Sequence, residues 1–318
     1  MSSVQSLIFQ HPTNSVNNLD ITSYTSKTWA KSYVPLRRYR LHTTMDMDSG
    51  EVTRVDFDTA FLPLMEDEEK QMSEIGQPPN ARHWRFETEV DIEHWWHAEV
   101  SDVVLAAWQR YPAIVQTDHT APLGDKNIPE NVDSTYAMYL GTSRAPVIIG
   151  EMKRNLIRVD AWCQGTMNEA QQRLAQELRG YADKYQCPQV FCWDGLTLLI
   201  LQFRAQTASQ IRNEDCEVDC WILPLNTGIC TFRYALYRLM VQGLRRCQVG
   251  TPGPLTVGGF TETHREFFSG QPIWSLNGNP SYTHPDGYSR VVDKETGALG
   301  WVHSEQDPQG AWETGAIW

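Results

Sequence analysis

The sequence predicts an α/β protein of the α+β kind, with helices and strands interleaved through the middle of the chain. Between residues 91 and 247 the hydrophobic pattern runs in the order helix, strands, helix, hairpin, helix. Hydrophobic residues make up 41% of the 318 residues and charged residues 21%, which is enough apolar material for a packed core. This length permits one large domain or two small ones.

The first 84 residues predict an N-terminal extension that carries a β-hairpin. Residues 38–58 read "RYRLHTTMDMDSGEVTRVDFD", with a turn at Asp48-Ser49-Gly50 and the β-branched Val52 and Val55 in the second strand. Residues 65–80 are rich in charge and end in a proline-containing loop. We expect that run to be solvated and to mark a soft boundary before a core domain over residues 85–250.

The core domain opens with a predicted helix and two predicted strands. Apolar residues at three- and four-residue spacing, among them Ile92, Trp96 and Val103, predict a helix over 91–110. Strand-like runs follow at 132–140 and 145–153.

In the second half of the core, predicted helices and strands also alternate. We predict a helix over 168–186, a hairpin over 189–203 that turns at Asp194-Gly195, and a helix over 230–247. Residues 251–318 are rich in Gly, Pro, Trp and Tyr, which predicts a C-terminal extension packed on the core. Its aromatic residues either pin the extension to the domain or stack on bases; they are Trp274, Tyr282, Tyr288 and Trp301.

The stretch "VIIGEMKRN", residues 147–155, begins as a buried strand and ends in charge. Residues two apart in a strand share a face, so Glu151 and Lys153 point the same way. Charges at the end of a buried strand are costly unless they meet a partner or a metal. The preceding strand carries Asp133 near its start, and carboxylates are the ligands that Mg²⁺ prefers. The pattern predicts that Asp133 and Glu151 converge on one divalent ion.

Asp133, followed at a strand end by Glu151-x-Lys153, resembles the motif of the PD-(D/E)XK nuclease superfamily. The resemblance covers roughly the middle half of the chain and departs from the family pattern at Val132, where the family has proline. It implies a restriction-endonuclease-like αβββαβ core, Mg²⁺ or Mn²⁺ as cofactor, and DNA or RNA as substrate. Glu68-x-Lys70 also fits the short motif, but it lies in a polar run without a strand.

Two helical residues complete the site that the resemblance implies. Glu99 lies on the apolar stripe of the first helix and would join Asp133 and Glu151 as a metal ligand, with Asp102 as a competing candidate. Gln176 on the second helix resembles a glutamine of the RecB-like branch, although exposed helical glutamines also fit the pattern.

Other candidate site residues also have purely structural explanations. His94 and His97 are three residues apart in "EHWWHAE", but without a third ligand nearby in the sequence we interpret them as helix-surface histidines. The arginines around the motif are candidates for phosphate contacts or solvated charges; they are Arg154, Arg158, Arg173 and Arg179.

Net charge and composition limit which partners and which cellular compartment we expect for this protein. The net charge of −12 argues against broad electrostatic attachment to nucleic acid, while a local basic groove stays compatible with it. The start of the chain has no secretory signal pattern, no run reaches the length of a membrane span, and the cysteines number seven, so we expect an intracellular protein, cytoplasmic or nuclear, with reduced thiols. We expect no structural zinc, because the cysteine spacings offer no four ligands. The sequence leaves open whether the chain forms a homodimer.

The residues therefore predict Mg²⁺-dependent hydrolysis of a nucleic-acid phosphodiester, with Asp133, Glu151 and Lys153 at the catalytic centre. The alternative is a nuclease-fold protein that serves as a binding or assembly module, or that acts on a small organic molecule. Fold by itself does not choose between these functions.

Overall fold

A seven-stranded mixed sheet forms the centre of the chain in the computed structural model. The residues described are 2–24, 27–46, 48–109, 114–123, 128–140, 143–225, 227–249, 253–303 and 307–317. The strands are β1 (Arg40–Leu41), β2 (Val115–Thr120), β3 (Val132–Leu140), β4 (Ser143–Met152), β5 (Gln189–Trp193), β6 (Thr197–Phe203) and β7 (Val218–Pro224). Their order in space is β1-β7-β6-β5-β4-β3-β2. β4 and β5 are parallel, as are β7 and β1, and the other neighbours are antiparallel.

Helices cover both faces of this sheet. The α-helices are α1 (Val4–Ile8), α2 (Asp67–Ser73), α3 (Glu89–Trp96), α4 (Asp102–Leu105), α5 (Val159–Gln164), α6 (Glu169–Lys184) and α7 (Phe232–Gln248). A π-helical segment, His97–Ser101, joins α3 to α4, and short 3₁₀ segments span Thr28–Ser32, Ala106–Trp108 and Ala208–Arg212.

The side chains of β5 alternate between the two faces of the sheet. Phe191 and Trp193 pack in one apolar cluster with residues of α3 and α7, whereas Val190 and Cys192 pack in a second cluster with residues of α6. A strand buried on both sides has apolar residues at every position, as this one has. The result is three layers, helix on sheet on helix, and the α/β class predicted from the sequence is confirmed.

The predicted elements of the core are present with shifted ends. The strands predicted at 132–140 and 145–153 are β3 and β4, and the hairpin predicted at 189–203 is β5 and β6. The helices predicted at 168–186 and 230–247 are α6 and α7.

The first predicted helix begins earlier than expected and changes its winding. Thr88 caps α3 by accepting a hydrogen bond from the Asp91 amide, while the Asp91 carboxylate accepts one from the Thr88 amide, which is a capping box. The π-helical segment then interrupts regular α-helical winding from His97 onwards. The predicted end of the helix at Arg110 lies outside the described residues.

The N-terminal segment pairs with strands of the core. The predicted hairpin is present as strands Thr43–Met45 and Val52–Val55. Just before it, β1 adds an edge strand to the main sheet beside β7. Ser15–Asn18 also pairs in parallel with the strand His83–Phe86, and Ser2–Ser3 pairs with Ile75–Gly76. Two of these pairings, of β1 with β7 and of Ser15–Asn18 with His83–Phe86, join the described part of this N-terminal segment to the core.

The charged run at 65–80 is packed in part, and this corrects the expectation of a solvated boundary. It contains α2, in which Asp67 is 1% exposed and forms an ion pair with the equally buried Arg245 of α7. A buried charge needs such a partner, and α7 supplies it only in the folded chain.

The C-terminal extension forms small antiparallel sheets over its own apolar cluster. Its strands are Thr256–Val257, Phe260–Thr261, His264–Arg265, Pro272–Leu276, Asn279–Ser281, Ser289–Val292, Leu299–His303 and Asp307–Trp312. Trp274, Tyr288 and Trp301 are buried in this cluster, whereas Tyr282 is 46% exposed. The Gln189 side chain of β5 donates a 2.7 Å hydrogen bond to the Phe268 carbonyl, which ties the extension to the core.

No helix in the described part of the chain is long and apolar enough to cross a membrane. All seven cysteines lie among the described residues and are free thiols, and six of them are buried.

Candidate functional site

Three side chains from neighbouring strands form a row at one end of the main sheet. The register between β3 and β4 pairs Ser134 with Gly150, so the next position outward sets Asp133 opposite Glu151. The register between β2 and β3 pairs Asp118 with Ser134 and Thr120 with Val132, so His119 stands opposite Asp133. Opposite residues of antiparallel strands present their side chains on one face.

Asp133 occupies the middle of this row. Its Oδ2 accepts a 2.7 Å hydrogen bond from the Met152 amide, and its Oδ1 lies 3.9 Å from His119 Nδ1. Burial raises the pKa of the Asp133 carboxyl to about 7, and the Glu151 carboxylate adds to the rise, while Lys153 opposes it. The raised pKa reflects mainly the loss of solvent around the carboxyl group, and secondarily the repulsion from Glu151.

Glu151 and Lys153 form a buried ion pair at the end of β4. Their side chains are 1% and 6% exposed, and Lys153 Nζ also lies 3.8 Å from Glu177 Oε1 of α6. The neighbouring carboxylates, Glu151 first, raise the pKa of the Lys153 ammonium above its ordinary value although burial lowers it. Lys153 therefore carries its positive charge at neutral pH and is a fixed cation rather than a base.

One oxygen of the Glu151 carboxylate, Oε2, is buried and accepts no hydrogen bond of standard geometry from the described residues. The Tyr181 hydroxyl donates a long 3.3 Å hydrogen bond to Glu177 Oε1 and also interacts with the Glu151 carboxylate. Burial raises the pKa of Tyr181, and the nearby carboxylates raise it further, so its hydroxyl stays protonated. A buried carboxylate oxygen without a well-formed hydrogen bond is costly, and an added cation would satisfy it.

Glu99, expected from the resemblance to be a metal ligand, makes its contacts with other groups. Its Oε1 accepts hydrogen bonds from Asn14 Nδ2 at 2.6 Å and Trp84 Nε1 at 2.9 Å, and its Oε2 lies 4.0 Å from Arg233 Nη2. These contacts use the carboxylate to fix the N-terminal segment and α7. Asp102, the competing candidate, is exposed on α4.

Gln176 likewise makes its contact away from the end of β4. Its side chain donates a 2.6 Å hydrogen bond to the Tyr33 carbonyl in the N-terminal segment. Its neighbour Glu177 faces Lys153 instead, because consecutive helical residues point about 100° apart.

The arginines around the motif divide between structural and exposed positions. Arg154 is buried and donates to the backbone carbonyls of Phe86 and Glu87, and Arg179 donates to those of Ile211 and Asn213. Arg173 forms an exposed ion pair with Glu169 on its own helix.

Arg158 is exposed and lines an open crevice of about 510 Å³ with Asn155 and Asp194, just beyond the end of β4. The same crevice is also lined by the acidic residues Asp20 and Asp160.

Three further residues belong to the cluster, and the sequence motif did not single them out. Glu177 supports Lys153, His119 extends the row, and Glu93 of α3 contacts His119, with 2.9 Å between Glu93 Oε2 and His119 Nε2. His119 has a backbone φ of 51°, an uncommon value for a residue other than glycine. The i, i+4 spacing of Glu89 and Glu93 was the available signal for a carboxylate face on α3.

The chain matches no protein-family model, no curated protein and no solved structure in comparisons with each of these three groups. The chemistry of the site therefore has to be argued from its residues.

Proposed function

We propose that this chain is an Mg²⁺- or Mn²⁺-dependent phosphodiesterase that acts on nucleic acid through a PD-(D/E)XK-type site. The observation that carries the proposal is the meeting of Asp133, Glu151 and Lys153 at one end of the sheet, with Glu151 Oε2 buried and accepting no hydrogen bond of standard geometry from the described residues. Two carboxylates and one fixed cation are the groups that a metal-assisted phosphoryl site needs.

The order of elements supports the same reading. Helix α3, strands β2, β3 and β4, helix α6 and strand β5 occur in this order along the chain, with the short helices α4 and α5 inserted after α3 and β4. Without these insertions the order is the αβββαβ expected for a restriction-endonuclease-like core. Within the sheet these strands are consecutive neighbours, and β5 is parallel to β4. The crossover through α6 brings Glu177 over the end of β4.

The donor set fits a hard divalent ion. Asp133 and Glu151 would hold it through carboxylate oxygens, which Mg²⁺ and Mn²⁺ favour. The ion would supply charge neutralisation at the phosphoryl group and a more acidic bound water. In the chain itself, Glu177 holds Lys153 in place, and the Lys153 ammonium stabilises the negative charge that grows on the phosphate.

A second function follows from the burial of the same cluster. Glu151 and Lys153 are almost completely shielded from solvent as an ion pair, as they would be in a charge network that only stabilises the fold. A nuclease-fold protein of this kind would serve as a binding or assembly module. The third alternative is an enzyme that acts on a small organic molecule. It differs from the nuclease in the size of its substrate and from the binding module in being catalytic.

A cleavage assay separates these functions. The full chain is incubated with Mg²⁺ or Mn²⁺ and with single- and double-stranded DNA, RNA, and a small aryl phosphodiester. We expect metal-dependent cleavage of a nucleic acid, lowered by ~10²–10³ in rate in Glu151→Gln. Glu169→Gln, an exposed carboxylate on α6, is the matched control and should retain the wild-type rate.

Each outcome has a definite meaning. Cleavage of the small phosphodiester alone would favour the small-molecule alternative. If the wild-type chain cleaves none of these substrates and binds no Mg²⁺ or Mn²⁺ in a calorimetric titration, the charge-network reading replaces the proposal.

A further inference from the structure

A second group of potential metal ligands lies on the other side of His119 from Asp133. Glu93 and His97 are one helical turn apart at the end of α3, and Asp118 faces them from β2. His97 is also the first residue of the π-helical segment. Such segments occur frequently at functional sites, because the altered winding re-aims a side chain.

The separations within this group suit a shared ion. One ligand atom from each of Glu93, His97 and Asp118 lies within 4.8 Å of the others. The distance from His97 Nε2 to Asp118 Oδ1 is 3.4 Å, which is long for a hydrogen bond. Ligands about 2.1 Å from a tetrahedral ion stand roughly 3.4 Å apart, because the angle between them is near 109°.

A buried nitrogen provides an independent observation. His97 Nε2 has no hydrogen-bond partner in the described structure, although the atom itself is shielded from solvent. Nitrogen atoms of neutral imidazole are among the commonest metal ligands. A coordinated ion would give this nitrogen the partner that Asp118 Oδ1, at 3.4 Å, does not provide as a hydrogen bond.

Neighbouring side chains contact the carboxylates of Glu93 and Asp118, as side chains next to metal ligands commonly do. His119 Nε2 lies 2.9 Å from Glu93 Oε2, and Gln116 Nε2 donates a 3.1 Å hydrogen bond to Asp118 Oδ1. Hydrogen bonds of this kind orient ligating carboxylates and tune their basicity. The His97 and Asp118 side chains are 21% and 35% exposed, so solvent can reach the group and supply a fourth ligand.

We propose that Glu93, His97 and Asp118 form a binding site for a first-row transition-metal ion such as Zn²⁺, separate from the Asp133–Glu151 centre. One imidazole and two carboxylates favour such an ion over Mg²⁺, which prefers oxygen ligands alone. Three protein ligands with one open position is the arrangement of zinc sites that bind water or a substrate. The inference rests on this geometry and does not depend on nuclease activity.

Metal titration of the full chain tests the site. The protein is freed of metal with a chelator and then titrated with Co²⁺, followed by visible absorption, and with Zn²⁺ in competition with a chromophoric chelator. We expect a site for Zn²⁺ that millimolar Mg²⁺ does not displace. His97→Ala should weaken Zn²⁺ binding by ~100-fold or more, and Asp118→Asn by ~10-fold or more, because each loses a ligand.

Matched variants make the result specific. His94→Ala, an exposed histidine three residues earlier on the same helix, should bind Zn²⁺ as the wild type does. In millimolar Mg²⁺, which occupies the proposed nuclease centre, Glu151→Gln should bind Zn²⁺ with the wild-type affinity, which separates this site from that centre.

Circular dichroism establishes that each variant is folded, and Asp118→Asn on β2 carries the test if His97→Ala does not fold. Equal Zn²⁺ affinity in wild type, His97→Ala and Asp118→Asn would overturn the proposal. Loss of Zn²⁺ binding in Glu151→Gln, with retention in His97→Ala, would also overturn it by placing the ion at the other centre.

Discussion

Asp133 and Glu151 stand opposite each other on adjacent antiparallel strands, and Lys153 lies two residues further along the second strand. The Met152 amide, between Glu151 and Lys153, donates its hydrogen bond to Asp133 Oδ2. The backbone of β4 therefore holds the Asp133 carboxylate beside Glu151. This relationship makes the electrostatic behaviour of Asp133 testable in the free protein.

Replacing Asp133 by Asn should stabilise the protein, and more at high pH than at low pH. The pKa of Asp133 is raised to about 7 in the folded chain, above its ordinary value of 3.8. The folded state therefore binds more protons between these values, and wild-type stability falls as pH rises through this window. At about 1.4 kcal/mol per pKa unit, the gain in Asp133→Asn at pH 8 should be roughly 1–4 kcal/mol.

Denaturant unfolding at pH 5 and pH 8, without divalent ions, measures this difference. The amide oxygen of Asn can still accept the Met152 hydrogen bond, so the backbone contact is preserved. An Asp133→Asn variant that is equally destabilised at both pH values would show that the carboxylate is not under electrostatic strain.

Replacing Lys153 by Met should abolish metal-dependent cleavage and also lower stability. Met matches the length of the Lys stem, but Lys153 lies between the buried carboxylates of Glu151 and Glu177. Breaking a buried ion pair by removing one partner typically costs ~3–5 kcal/mol, since the remaining charge has no compensation. Thermal or denaturant unfolding gives the stability, and initial cleavage rates give the activity.

Two variants accompany Lys153→Met as controls. Adding Glu177→Gln removes one uncompensated charge and should restore part of the lost stability without restoring cleavage. Arg173→Met breaks an exposed ion pair with Glu169 on α6 and should cost no more than about 1 kcal/mol. Full cleavage by Lys153→Met would rule out a catalytic role for the ammonium.

Replacing Asp67 by Asn should destabilise the protein by ~3–5 kcal/mol, because it leaves Arg245 buried without its counter-charge. Glu69→Gln, an exposed position on the same helix, should change stability by no more than about 0.5 kcal/mol. Urea unfolding of both variants makes the comparison. Equal, small effects would mean that α2 is a solvated segment after all.

Replacing Gly243 by Ala should destabilise the protein although alanine favours helices. A Cβ atom at Gly243 would lie 2.3 Å from the Val147 carbonyl oxygen, so α7 could no longer approach β4 as closely. The strain should cost about 1–3 kcal/mol, against an intrinsic helical gain of about 1 kcal/mol. Gly228→Ala, where a Cβ would meet nothing within 4 Å, is the control. A rise in melting temperature for Gly243→Ala would contradict this close packing.

The sequence by itself determined several core elements and the strand-end motif, but not the strands β2 and β7. Hydrophobic periodicity is a local property, so it located α6, α7 and strands β3 to β6 within a few residues. The two-residue alternation of a strand also set Glu151 and Lys153 on one face, where the structure has them in contact.

Tertiary structure decided which helical residues reach that strand end. The π-helical segment changes the winding of the first helix at His97, so a uniform period of 3.6 residues misplaces Glu99, which contacts Asn14 and Trp84 instead. The rotation of α6 against the sheet selects Glu177 over Gln176. The register of β2 against β3 brings His119 to Asp133, and the packing of α3 against β2 brings Glu93 and His97 to Asp118. Rotations and registers of this kind depend on contacts between segments far apart in the chain, which local sequence patterns do not encode.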